Sequence, residues 1–478
     1  MVIRSVANIL LSNSLRTVSY NFKQAVEALS GLQSNAEYIR NHVKTNADDN
    51  SVKSITIKYL ERSGLTLNDL DELSVIHVTG TKGKGTTCAL CECILRRSGY
   101  RTGFFTSPHL IEVYERIRID GEPLQRETFA KYFWKVFDEL EHKKEHEYDM
   151  PHFFSFMTIL AFHVFLNEKV DVTILEVGIG GEVDCTNIIR NTCVAGITSL
   201  GIDHTNLLGN SLKTIAWHKA GIFKKGCKAF TVPQDKRSMA VLNRRSLEKG
   251  CQLNIVKPLE EKISKVINTN MPLEIFRLNA GLAISLANAW VTFNGFPALQ
   301  NYVVEKAIEK FNWQGRYEIV SINNSSSVCR FFMDGAHTSE SLEICKDWYL
   351  KNTKFSSNIK VLVFNATGDR NVRQFLKILH KCHFQQVYLT PNVAVSKQMD
   401  DVKEPIQRCQ VFKRAWEELE RKTGFKADSI STCVDVSGAF RKILDNNVKK
   451  CDVLVTGSIH LVGAALNVIN IRKTNDSS

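Results

Sequence analysis

Ser74-Val75-Ile76-His77-Val78-Thr79-Gly80-Thr81-Lys82-Gly83-Lys84-Gly85-Thr86-Thr87 is the stretch that decides the fold. Its first six residues are rich in β-branched side chains and run into glycine, which predicts a short strand. Thr86 to Ser98 has helical character, and Gly99 stands where a helix would stop. Strand, glycine-rich turn and helix in that order can bind a triphosphate. Such a ligand needs several backbone N–H groups aimed at one point and a cation beside them. Glycines let the main chain curl round the phosphate, and the helix N-terminus adds a positive dipole. Gly80, Gly83 and Gly85 supply the curl, Lys84 is placed to reach the β- and γ-phosphates, and Thr86 or Thr87 can set a hydroxyl near Mg2+. Thr81 and Lys82 complete the loop, although Lys82 reads by default as a solvated lysine. The spacing departs from the common phosphate-loop pattern, which wants Gly where Val78 stands and Ser or Thr where Gly85 stands. The plain alternative, a turn with exposed lysines, is weakened by the flanking strand and helix.

Outward from the loop, Thr102 to Thr106 reads as a strand, and Val172 to Val177 and Cys193 to Leu200 as buried parallel strands. Glu27 to Arg62 reads as helical, and further helices are expected over Arg126–Lys144 and near Ser211–Lys224 and Arg277–Phe293. Phe129, Phe133 and Phe137 form an aromatic face best read as core packing. Phe153 to Leu166 is nearly all apolar, but Ser155 and His163 make it a buried helix and not a membrane span. After Asn312 to Arg316 a second series begins, with strands near Ile319, Cys329–Met333, Ile359–Phe364, Gln386–Leu389 and Val453–Thr456, and Ser325 to Ser327 as a hairpin or surface loop. The expected class is α/β: an N-terminal phosphate-loop ATPase domain with a mostly parallel sheet at 21–311, a linker at 312–316, and a smaller Rossmann-like α/β domain at 317–478.

A chain of 478 residues exceeds what one core usually serves, which agrees with two domains. The net charge of +12 raises nucleic-acid binding, but Lys and Arg are spread without a long basic run. Anionic substrates explain the charge better, and no nucleic-acid partner is expected. The 13 cysteines are scattered and odd in number, so reduced thiols fit better than a disulfide framework. Cys88, Cys91 and Cys93 lack a following His at zinc-finger spacing and read as buried small residues. Met1 to Ala25 holds no Asp or Glu but has Arg4, Arg16, Lys23 and interleaved serines, the composition of a mitochondrial transit segment, assigned to 1–20. The expected location is mitochondrial, in the matrix or at the inner membrane, cytoplasmic, or both. No membrane-spanning segment is expected.

The loop Gly80 to Thr86 resembles that of folylpolyglutamate synthases, members of the Mur ligase superfamily. The likeness continues in order through Thr106-Ser107-Pro108-His109-Leu110, Glu115-Arg116-Ile117, Leu175-Glu176-Val177-Gly178-Ile179-Gly180-Gly181, Gly201-Ile202-Asp203-His204-Thr205, His218-Lys219-Ala220-Gly221-Ile222-Phe223, Asp334-Gly335-Ala336-His337-Thr338 and Thr456-Gly457-Ser458. The resemblance is to the animal-type enzymes. It implies a ligase in which ATP phosphorylates the terminal carboxyl of a reduced folate and L-glutamate then attacks the acyl phosphate. The γ-linked polyglutamate retains folate in the cell and mitochondria for one-carbon metabolism. The implied cofactors are ATP and Mg2+, with a monovalent cation such as K+ as a further candidate, and the implied partners are reduced folate and L-glutamate, on a monomer.

The same resemblance implies roles. Lys84, a carbamylated Lys219 and His337 would be catalytic. Gly80, Thr81, Lys82, Gly83, Lys84, Gly85, Thr86, Asn279, Arg316 and Asp334 would bind ATP, with Arg277 a further nucleotide contact. Ser107, Glu176 and His204 would hold the metal, and Arg116, His337 and Ser458 the substrates. Glu176 stands on its own chemistry too: a carboxylate at the end of a buried strand suits Mg2+. Two departures stand out. Ile275 and Phe276 replace the family's His-Gln before Asn279, and Gln314 replaces Pro in the linker. Two rivals follow, a dihydrofolate synthase that adds the first glutamate to dihydropteroate, and a non-catalytic folate- or nucleotide-binding protein.

Overall fold

The computed structural model describes residues 21–32, 50–260, 269–324, 327–368, 370–396, 403–445 and 450–476. The expected transit segment at 1–20 lies outside them, as do Ser325 and Ser326. Two sheets organise the rest. The first has eight strands: β1 (Val75–Thr79), β2 (Thr102–Phe105), β3 (Ile117–Ile119), β4 (Glu122–Pro123), β5 (Val172–Glu176), β6 (Val194–Ile197), β7 (Lys228–Thr231) and β8 (Gln252–Ile255), in the order β4-β3-β2-β5-β1-β6-β7-β8. Its pairs are parallel except β2–β3 and β3–β4. The second has six strands: β9 (Glu318–Asn324), β10 (Ser327–Asp334), β11 (Ile359–Phe364), β12 (Gln386–Leu389), β13 (Ser429–Thr432) and β14 (Lys450–Thr456), in the order β13-β12-β11-β14-β10-β9, with β9–β10 alone antiparallel. The pairing of Asn324 with Ser327 brackets the expected hairpin turn.

Buried parallel strands need both faces covered, and the apolar runs supply this. The helix Phe153–Asn167 is buried along most of its length, and Phe156 packs on Phe133 of the helix Arg126–His142 at 5.1 Å between ring centroids. The helix Lys84–Arg97 is covered on the other face by Leu273–Phe293, which buries Trp290, Leu286 and Leu282. Among the described residues no helix is long and apolar enough to cross a membrane.

Two expectations need correction. The helix read over Glu27–Arg62 is not continuous: Phe22–Gly31 ends where Leu32 turns extended (φ −69°, ψ 146°), and a separate helix is described over Asn50–Arg62. The chain is not wholly reduced either. Cys329 and Cys451 are register partners on β10 and β14 with Cα atoms 4.7 Å apart, and they form a disulfide. Parallel pairing brought together two cysteines that are 122 residues apart in sequence. Cys88, Cys91 and Cys93 are free and buried within their helix, as expected.

Candidate active site

The central strands of the first sheet, β2-β5-β1-β6, all end at one edge, where ligand sites form in parallel sheets. The phosphate loop follows β1, Thr106 and Ser107 follow β2, Glu176 ends β5, and Asp203 and His204 lie beyond β6. In the second sheet β11-β14-β10 likewise carry Arg370, Ser458 and Asp334 at or just beyond their C-terminal ends. The two edges face each other across a cavity of about 430 Å3. Every residue expected to bind ATP, metal or substrate lines it except Arg277.

The loop is built as the glycines require. A Cβ on Gly80 (φ 151°) would lie 1.8 Å from Thr198 Oγ1, and Gly83 sits in the left-handed region (φ 87°) as the N-cap of the helix Lys84–Arg97. Thr81 and Lys82 donate their N–H groups to Ser199 O at 3.0 and 3.1 Å, which ties the loop to the segment after β6. Lys84 Nζ and Lys219 Nζ both donate to Gly80 O, at 3.2 and 2.8 Å. Two amines thus share one loop carbonyl. Burial, with Lys84 beside it, pushes the Lys219 amine well below the usual lysine range. Burial also lowers Lys82 to about 8, and its Nζ is buried without a hydrogen bond.

Glu176 is buried, and its Oε2 accepts from Thr106 Oγ1 at 2.5 Å and Ser107 N at 3.1 Å. Burial raises its carboxyl, while Lys84 and these hydrogen bonds oppose the rise. Burial, against the pull of Asp203, holds the His204 imidazole down at about 4, so it is neutral with a lone pair available. Among the described residues no group of three or more His, Cys, Asp or Glu forms a closed metal cage. A carboxylate, a hydroxyl and a neutral imidazole at one cavity leave most coordination positions to water and phosphate, which is how Mg2+ is usually held.

Arg116 is buried, donates from Nε to His109 Nδ1 at 2.9 Å and lies over the Phe153 ring at 5.1 Å. Burial lowers it to about 10, with Glu176 and Glu115 opposing. Asp334 accepts from Tyr317 N at 3.2 Å and Ala336 N at 3.0 Å, and burial pushes it up to about 6 against Arg316. Arg316 lines the cavity with them. Ser458 is buried, and Asn392 Nδ2 donates to its Oγ at 3.4 Å.

Asn279 Nδ2 is buried without a hydrogen-bond partner, while Thr87 Oγ1 donates to its Oδ1 at 3.5 Å. Ile275 lines the cavity, but Phe276 turns into the core beside Phe311 at 6.5 Å between ring centroids. Arg277 does not join the site: its Nε donates to Leu259 O at 2.7 Å. Sequence reading gave no role to Thr106, Asp203 or Arg370. Each follows a strand on the ligand edge, and that position was the available signal.

No family model matches the chain. The mitochondrial folylpolyglutamate synthase of Bos taurus is 38% identical over 445 residues, covering 85% of this chain and 75% of that protein. The mitochondrial folylpolyglutamate synthase of Homo sapiens is 41% identical over 405 residues, covering 78% and 68%. Among solved structures, Mycobacterium tuberculosis folylpolyglutamate synthase complexed with ADP has the same fold, with a TM-score of 0.72 at 23% identity over 94% of this chain and 98% of that one.

Proposed function

The chain belongs to the folylpolyglutamate synthase family, and from that premise we propose how its cleft performs the ligation. The reaction is the ATP-dependent addition of L-glutamate to folates, with formation of an amide bond. The observation that carries the assignment of parts is that one cavity gathers the phosphate loop, Glu176 and Asn279 from one sheet edge and Asp334, His337 and Ser458 from the other.

In this reading Gly80 to Thr86 wrap the triphosphate, Lys84 neutralises its β/γ end, and Asn279, Arg316 and Asp334 hold the nucleoside. Glu176, Ser107 and His204 hold Mg2+, which supplies positive charge to the triphosphate when bound. Arg116 holds the substrate carboxylate that accepts the phosphoryl group. His337 and Ser458 place L-glutamate so that its amine meets the acyl phosphate, releasing phosphate as the γ-linked amide forms on a reduced folate. Positioning and fixed charge do the catalysis, so no nucleophilic side chain is required. Lys219 is the residue for carbamylation: its amine is buried and biased to the neutral form, which is the form that adds CO2. The site as proposed needs no second chain to complete it, and a monomer is the proposed working unit. The naming of the cow and human relatives supports a mitochondrial location, with a cytoplasmic pool as a further part of the proposal.

The test offers ATP, Mg2+ and radiolabelled glutamate with tetrahydrofolate or dihydropteroate. Label should pass to tetrahydrofolate. Turnover on dihydropteroate alone would make the chain a dihydrofolate synthase, and no incorporation by folded protein would leave a binding role.

A further inference from the structure

Asp203 connects the two walls of the cleft. It lies on the first-sheet wall, one residue before His204, and its Oδ2 is 3.6 Å from Nε2 of His337 on the second wall. Lys82 of the phosphate loop also faces the ring and its charge lowers the imidazole, while the other hydrogen-bond partners of His337 come from its own domain. Its Nδ1 meets Gly335 O at 2.8 Å, its N–H donates to Ser341 Oγ at 3.1 Å, and its carbonyl accepts from Arg370 Nη1 at 2.8 Å. These contacts fix the backbone and one ring nitrogen. The second ring nitrogen faces the opposite domain.

Asp203 is itself attached to the phosphate loop. Thr81 Oγ1 donates to Gly201 O and accepts from Gly201 N, both at 3.1 Å, and Thr81 N and Lys82 N bond Ser199 O. Asp203 Oδ1 also accepts from His204 N at 2.9 Å, which holds the carboxylate against its own backbone. The segment that carries the carboxylate is therefore anchored to the phosphate loop. We propose that Asp203 is a positioning residue that holds the His337 ring from the opposite wall, so that the acceptor amine is seated across the cleft. The inference rests on the assignment of His337 to L-glutamate given above.

Two side chains that meet across a cleft act by coupling, and a double-mutant cycle measures it. Initial rates with ATP, Mg2+, tetrahydrofolate and varied glutamate are compared for the unaltered protein, D203A, D203N, H337A and D203A/H337A. D203A should raise KM for glutamate about tenfold and leave KM for ATP within about twofold. D203A/H337A should be no worse than H337A alone. D203N keeps the shape and one acceptor, and should raise KM for glutamate by a smaller factor, about threefold. It is the variant read if D203A fails to fold. Additive penalties in the double variant, or an equal rise in KM for ATP or in the Mg2+ requirement, would overturn the proposal, since Asp203 would then act through His204 and the metal. An unaltered protein without glutamate incorporation would defeat the proposed function. Additive penalties in an active enzyme would defeat only this inference.

Discussion

Glu176 at the end of β5 and Asp334 at the end of β10 are buried carboxylates on opposite walls of the same cavity, and their oxygens are engaged differently. Both hydrogen bonds to Glu176 fall on Oε2, from the Thr106 hydroxyl and the Ser107 backbone. Asp334 has both oxygens engaged by backbone, Oδ2 by Tyr317 N just after the linker and Oδ1 by Ala336 N. Burial raises both groups. The difference shows that a buried carboxylate at a strand end can keep one oxygen spare or have both engaged as a clamp that fixes the chain around it.

The largest expected effects fall on the Glu176 wall and separate these two roles. Glu176→Gln removes the charge from the metal side and leaves the surrounding backbone unaltered. Turnover should fall about 10²–10³-fold, the loss typical of a lost electrostatic contact in a closed site. The Mg2+ concentration needed for half activity should rise, and the melting temperature should move by no more than about 2–4 °C. Normal turnover with an unchanged Mg2+ requirement would remove Glu176 from the metal site. Lys84→Ala belongs to the same wall and should abolish ligation with the fold retained, as measured by incorporation and circular dichroism.

Asp334→Asn should behave in the opposite way, with a smaller kinetic effect and a larger structural one. An amide cannot accept on both sides, so Tyr317 N or Ala336 N loses its partner, at a cost of about 1–3 kcal/mol. The pH dependence has a definite sign. A carboxyl whose folded-state value is raised to about 6 contributes stability that is fully present below its unfolded value and is lost as pH rises through about 6. Asn has no such loss. The deficit of Asp334→Asn should therefore be greatest near pH 4 and shrink toward pH 6, by roughly 1 kcal/mol per pH unit at most. Urea melts at several pH values read this directly, and a pH-independent deficit would mean that the Asp334 carboxyl is not raised.

The contrast also explains what the sequence could disclose. β1, the phosphate loop and the helix Lys84–Arg97 were legible because β-branched residues, glycines and helix signals lie next to one another in sequence. β3, β4, β7, β8 and β13 were not. They have two to four residues each, and only β7 alternates buried with half-exposed positions, too briefly for a period to emerge. Arg277 was misread because it sits two positions from Asn279. On a helix two positions are about 200° apart, so Asn279 faces the loop and Arg277 faces Leu259. Asp203, Thr106 and Arg370 were missed because their meaning is non-local: each acquires a partner from another strand end or the other domain. The Cys329–Cys451 disulfide is the same case in the second sheet.

The smallest expected effect tests the Glu176 side alone. Thr106→Val keeps the shape of the side chain and removes the hydroxyl that donates to Oε2, leaving Ser107 N in place. The hydroxyl stabilises the ionised carboxyl, so its loss should raise the Glu176 carboxyl further. The acid limb of the kcat/KM profile should then move to higher pH, by up to about one unit, with little change at the plateau. No equivalent side-chain variant exists for Asp334, whose donors are both backbone. A Thr106→Val enzyme with an unmoved acid limb would mean that Glu176 ionisation does not govern the reaction, and the two carboxylates would then differ in geometry but not in role.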